Sequence, residues 1–73
     1  MKIGFVGAGK MAEAILASLL DADVCEAGDI YASDISGERC ESLIGQYGIQ
    51  ASTQTREVVN ASDIVVFAVK PQE

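Results

Sequence analysis

The sequence predicts an α/β fold in which helices alternate with the strands of a parallel sheet, βαβαβαβ, with the strands in spatial order 3-2-1-4. Three observations carry this. Short runs rich in β-branched and aromatic residues alternate with segments of helical period along the whole chain. A glycine turn, Gly7-Ala8-Gly9-Lys10-Met11-Ala12, stands where the period changes from strand to helix. The run Asp63-Ile64-Val65-Val66-Phe67-Ala68-Val69 is continuously apolar after its first residue, as expected of a central parallel strand covered on both faces. Right-handed crossovers between such units give that strand order and the Rossmann-type architecture.

Lys2 to Val6 is the first strand, with Ile3, Phe5 and Val6 interrupted only by Gly4. The first helix runs from about Gly9 to about Asp21. Its apolar positions Ala12, Ile15, Leu16, Leu19 and Leu20 form an i, i+3, i+4, i+7, i+8 stripe. In a turn of this kind the first glycine permits the tight backbone, the second lets a pyrophosphate approach the main chain, and a small third residue lets helix and strand pack closely; Gly7, Gly9 and Ala12 fill those roles. The first N–H groups of the helix lack intrahelical acceptors, and the helix dipole adds partial positive charge there. Without a ligand, the same small residues would simply make a tight turn. Gly4 to Lys10 also matches the start of a P-loop, but Met11 stands where that motif needs Ser or Thr, and Gly4 lies inside the strand.

Ala22 to Asp29 reads as a surface connection and Ile30 to Ser33 as the second strand, ending at Asp34. Asp34 lies 22 residues beyond Ala12, close to the spacing at which a dinucleotide fold places an acid for the adenosine ribose. It can accept from a 2′-hydroxyl and would repel a 2′-phosphate; the alternative role is that of a turn or capping Asp. Ser36 caps the second helix, whose stripe is Cys40, Leu43, Ile44 and Tyr47, and Gly48 ends it. Ile49 to Ala51 is a short third strand. Thr53 or Thr55 caps a short helix through about Ala61, with Val58, Val59 and Ala61 inward and Arg56 and Glu57 in water. The fourth strand ends at Lys70-Pro71, at the carboxyl edge of the sheet where open α/β folds bind ligands. A lysine at a strand end is also an ordinary solvated charge. A strand covered on both faces needs a following helix and strand, so residues 1–73 read as the N-terminal part of a dinucleotide-binding domain.

A net charge of −6 with five scattered basic residues disfavours nucleic acid or an anionic membrane as partner. Cys25 and Cys40 lack metal-ligand or redox spacing, and the chain has no histidine, so zinc, general-acid and nucleophilic chemistry are not expected of it. Both read as reduced thiols of a small core. The start lacks the pattern of a signal peptide, which makes the cytoplasm the expected location and leaves the sequon Asn60-Ala61-Ser62 without consequence.

Met1 to Ile15, with its G-A-G-x-M-A turn, and Asp63 to Gln72, with A-V-K-P-Q, together resemble the N-terminus of the pyrroline-5-carboxylate reductase family. The resemblance implies reduction of 1-pyrroline-5-carboxylate to L-proline with NADH or NADPH, in proline biosynthesis. It also implies a homo-oligomeric enzyme whose substrate-binding and dimer-forming helical domain lies downstream and is absent from this sequence. Carried over, the pyrophosphate turn falls on Gly7, Ala8, Gly9, Lys10 and Met11, the adenosine side on Asp34 and Thr55, and the nicotinamide-side loop on Ala68, Val69, Lys70 and Pro71. Many members have Arg where this chain has Ile35 and Asn where it has Thr55. Both departures favour NADH, although Arg39 or Ser36 is near enough in sequence to reach a phosphate. The resemblance assigns no catalytic residue and no metal. Two other readings share these features: a stand-alone dinucleotide-binding module, and a related reductase of the coenzyme F420-dependent NADP or hydroxyacid dehydrogenase type.

Overall fold

The structure is a computed structural model that describes residues 1–68. Its elements are β1 (Ile3–Val6), α1 (Lys10–Asp21), a 3-10 turn (Ala27–Asp29), β2 (Ile30–Ser33), α2 (Gly37–Tyr47), β3 (Gln50–Ser52), α3 (Thr55–Ala61) and β4 (Ile64–Phe67). The four strands are all parallel in the order β3-β2-β1-β4, with Ile3 opposite both Ile30 and Ile64. This is the predicted Rossmann-type sheet. All predicted elements form, and β2 has the predicted bounds.

Alternation along the strands separates the two faces of the sheet. Phe5, Ile30 and Ala32 are fully buried and join Ala8, Ala12, Leu16, Leu43 and Ile49 in one core, which places α1 and α2 on that face. Gly4 points to the opposite face, where a Cβ would collide with Ser62 and touch Val58, so α3 lies there against a strand without a side chain. Ser36 Oγ accepts from Arg39 N–H at 3.2 Å, and Gly48 closes α2 at φ 73°, as the cap residues predicted.

Several expectations are corrected. β3 begins one residue later than predicted, because Ile49 is buried in the core before pairing starts. Neither Thr53 nor Thr55 caps α3: Gln54 is the flanking residue, without a side-chain cap, and Thr55 is the first helical residue. The Thr55 hydroxyl instead donates to Ser33 Oγ at 3.4 Å. Ile15, Ile44 and Val59 are exposed members of stripes predicted to be buried, because short helices lying on a four-stranded sheet cover only the centre of each stripe. Cys25 is only half-buried, whereas Cys40 is in the interior. The expected central strand is shorter, and among the described residues β4 pairs on one side alone, with Ile64 46% and Phe67 72% exposed.

Candidate functional site

The glycine turn is built by hydrogen bonds to its neighbours on the sheet edge. Gly7 has φ 102°, a conformation that costs an L-residue about 1–2 kcal/mol, and its N–H donates to the carbonyl of Ser33 at 2.9 Å. That bond extends the β1–β2 pairing by one step and aims the chain off the sheet. Ala8 is fully buried, and its N–H donates to Asp34 Oδ2 at 3.1 Å. Gly9 then flanks α1 in extended conformation with no side-chain cap, and its carbonyl accepts the first helical bond, from Glu13 N–H at 3.0 Å. The amides ahead of Glu13 have no carbonyl four residues back within the helix.

A cleft of about 540 Å³ opens at this point, lined by Gly9, Lys10, Met11, Glu13, Arg39 and Ala68. A Cβ added to Gly9 would meet no atom within 4 Å, so the backbone there faces open space. Ala12 is fully buried under the turn, in the close-packing position predicted for it. Ala68 reaches the cleft because its N–H donates to the carbonyl of Val6 at 2.9 Å, one step past β4. Val69, Lys70 and Pro71, the rest of the predicted nicotinamide-side loop, lie outside the described residues.

The fold brings Gly7, Ala8, Gly9, Lys10, Met11, Asp34 and Ala68 to one end of the sheet. Thr55 is at the same edge, on the far side of Ser33, and does not line the cleft. Asp34 takes the turn role open to it from sequence and adds a bond to the glycine turn. One carboxylate oxygen accepts from Ser36 N–H at 2.9 Å in a local turn and the other grips the glycine turn at Ala8. Each oxygen retains a second lone pair. Ile35, the residue after it, is 98% exposed.

Sequence reasoning missed a tie across the mouth of the cleft. Arg39 Nε donates to the carbonyl of Ala8, and its Nη2 pairs with Glu13 Oε1 at 2.6 Å. The other Glu13 oxygen accepts from the Tyr47 hydroxyl at 2.7 Å. The Tyr47 and Arg39 hydrogen bonds hold the Glu13 carboxyl below its ordinary pKa, while the same contact with Glu13 raises the Tyr47 phenol. Tyr47 reads in sequence as the end of an apolar stripe. Its contact with Glu13 joins residues 34 apart, which no local pattern reveals. None of the helices among the described residues is long and apolar enough to cross a membrane.

Known proteins resemble the chain along nearly all of its length. It is 41% identical over 71 residues to the pyrroline-5-carboxylate reductase of Methanosarcina acetivorans, covering 97% of this chain and 26% of that protein. With the pyrroline-5-carboxylate reductase of Escherichia coli it shares 39% identity over 70 residues, 96% of this chain and 26% of the relative. A solved pyrroline-5-carboxylate reductase structure from Coxiella burnetii superposes with a TM-score of 0.88 at 28% identity, again over 96% of this chain and 26% of that one. The chain thus spans about a quarter of the length of these relatives. The family model described as NADP oxidoreductase, coenzyme F420-dependent, matches residues 2–73. Its match takes in the glycine turn, the four parallel strands and the residues that line the cleft, and on that ground the chain belongs to the family of coenzyme F420-dependent NADP oxidoreductases.

Proposed function

We propose that this chain is the cofactor-binding portion of an enzyme that reduces 1-pyrroline-5-carboxylate to L-proline with a nicotinamide dinucleotide. The observation that carries the cofactor is the open space over Gly9 at the start of α1, within a cleft of about 540 Å³. That volume falls in the range of small-molecule sites, about 300–1,000 Å³. A branched side chain at Gly9 would fill the room that a pyrophosphate needs. The reductases that match 96–97% of the chain support the substrate.

In this reading Gly7 and Ala8 shape the turn, and the backbone of Gly9, Lys10 and Met11 receives the pyrophosphate at the positive end of α1. Asp34 accepts from the adenosine ribose through lone pairs left over from its own bonds, with Thr55 further along that edge. Ala68, followed by Val69, Lys70 and Pro71, borders the nicotinamide end. When bound, the dinucleotide supplies the hydride for the imine carbon; the residues of this chain bind and orient it and take no part in proton transfer. The preferred cofactor is NADH. Asp34 repels a 2′-phosphate, Ile35 offers no cation, and Arg39 is already paired with Glu13. With the same reading go a homo-oligomeric enzyme, a cytoplasmic location and a helical substrate domain beyond residue 73.

The family description favours one second reading, hydride exchange between coenzyme F420 and NADP. Calorimetric titration with NADH and NADPH tests the site. NADH is expected to bind more tightly than NADPH, and Gly9→Val to abolish binding while circular dichroism stays unchanged. Equal binding by Gly9→Val would remove the turn from the site, and tighter binding of NADPH would reverse the preference. An assay of the full-length enzyme with 1-pyrroline-5-carboxylate and NADH, set against reduced coenzyme F420 and NADP, separates the two reactions, since this portion alone has no turnover; turnover of the second pair alone would replace the first reading.

A further inference from the structure

Ala8 is held from both sides. Its N–H donates to Asp34 Oδ2 at 3.1 Å, and its carbonyl accepts from Arg39 Nε. These two groups belong to successive peptide planes, Gly7–Ala8 and Ala8–Gly9, so the backbone angles of Ala8 are fixed by two side chains on the β2–α2 segment. Peptides are planar and trans, which makes a carbonyl and the N–H of the same unit point in opposite directions. With the Ala8 carbonyl turned to Arg39, the Gly9 N–H is turned away from it.

Arg39 in turn does not stand alone. Glu13 Oε1 holds its Nη2 at 2.6 Å, and Tyr47 holds the other oxygen of Glu13 at 2.7 Å. The guanidinium suits this work because its planar fork donates to two acceptors at once in fixed geometry, which an ammonium does not. The pairing also neutralises a carboxylate that lines the cleft.

We infer that Arg39 and Glu13 are positioning residues for dinucleotide binding: Arg39, oriented by Glu13, fixes the Ala8–Gly9 peptide and with it the Gly9 N–H that the pyrophosphate meets. This rests on the dinucleotide reading given above. It also explains how a turn made of small, flexible residues is pre-organised before ligand arrives, since neither glycine has a side chain to hold it.

The test uses Arg39→Gln, Arg39→Lys and Glu13→Gln, with two readouts: the Kd for NADH by calorimetry, and amide exchange of Ala8 by NMR in the ligand-free protein. Arg39→Gln is expected to raise the Kd about tenfold, the scale of one charged hydrogen bond, and to speed Ala8 exchange with the β2 amides still protected. Arg39→Lys is expected to leave both defects in place, because charge without the fork does not orient the peptide. Glu13→Gln is expected to speed Ala8 exchange by less. A Kd for Arg39→Gln within twofold of the original protein, or full rescue by Lys, overturns the role of Arg39; unchanged Ala8 exchange in Glu13→Gln overturns that of Glu13. Should β2 lose protection in Arg39→Gln, Arg39→Lys decides alone. Failure of the unaltered protein to bind NADH would instead count against the dinucleotide reading, and Ala8 exchange would then decide the clamp by itself.

Discussion

Gly4 shows how one missing side chain sets the position of a whole helix. A Cβ there would lie 2.0 Å from Ser62 Oγ and 2.9 Å from Ser62 Cβ, with Val58 Cγ1 at 3.0 Å. Ser62 has little freedom to yield, because its hydroxyl donates to the Val58 carbonyl at 2.6 Å. Gly4→Ala is therefore expected to push the end of α3 off the sheet and to cost about 1–3 kcal/mol, the usual penalty of overpacking. Adding Ser62→Gly removes both of the closest atoms and should recover most of the loss in urea unfolding. Gly4→Ala as stable as the original protein would contradict the packing. The same scale separates the glycines by cause. Gly7 has a positive φ, Gly9 faces open space, and Gly4 makes room for the helix behind it. Only the first two causes are readable from the G-x-G-x-x-A spacing; the third depends on a serine 58 residues away.

Between elements, the tie that matters most joins α1 to α2 through Glu13, Arg39 and Tyr47. Its pH dependence has two limbs with opposite signs. Glu13 titrates below its ordinary 4.5 in the folded chain, so its contribution is complete above that value and is lost as pH falls through the depressed one. Tyr47 titrates above its ordinary 10.0, so its contribution is complete below that value and is lost as pH rises through the raised one. Thermal melts across pH are expected to show a plateau between these limits. Tyr47→Phe should lower the plateau and remove the difference on the alkaline limb, and an unchanged profile would show that the contact carries no stability. The elements themselves were legible because each repeats a signal: a helical stripe, a capping Ser36, a Gly48 stop, a β-branched run. The α3 start was not. Two threonines and a glutamine there offer similar local chemistry, and the choice fell to Thr55 reaching Ser33 on the neighbouring strand. The cleft was legible as a place, from the turn and Asp34, but not as a network, since its hydrogen bonds cross between helices that share no sequence pattern.

At the scale of the molecule, a sheet of order β3-β2-β1-β4 leaves β4 with hydrogen-bonding groups on one side that no strand among the described residues meets. Ile64 and Phe67 stand exposed on that strand, at 46% and 72%, and unpaired apolar edges promote pairing between chains. Opposing this is the net charge of −6, which makes every encounter between two copies repulsive. Salt decides between the two effects, because the screening length falls from about 10 Å at 0.1 M to about 3 Å at 1 M while burial of apolar surface persists. Sedimentation of the 73-residue chain is therefore expected to show monomer at low salt and concentration-dependent association as salt rises. Phe67→Lys sharpens the test: it reduces the net negative charge by one and so weakens repulsion, yet it places a charge on the edge that blocks strand pairing. If the edge governs association, that variant stays monomeric at salt concentrations where the original chain associates; if general charge repulsion governs it, the variant associates more readily.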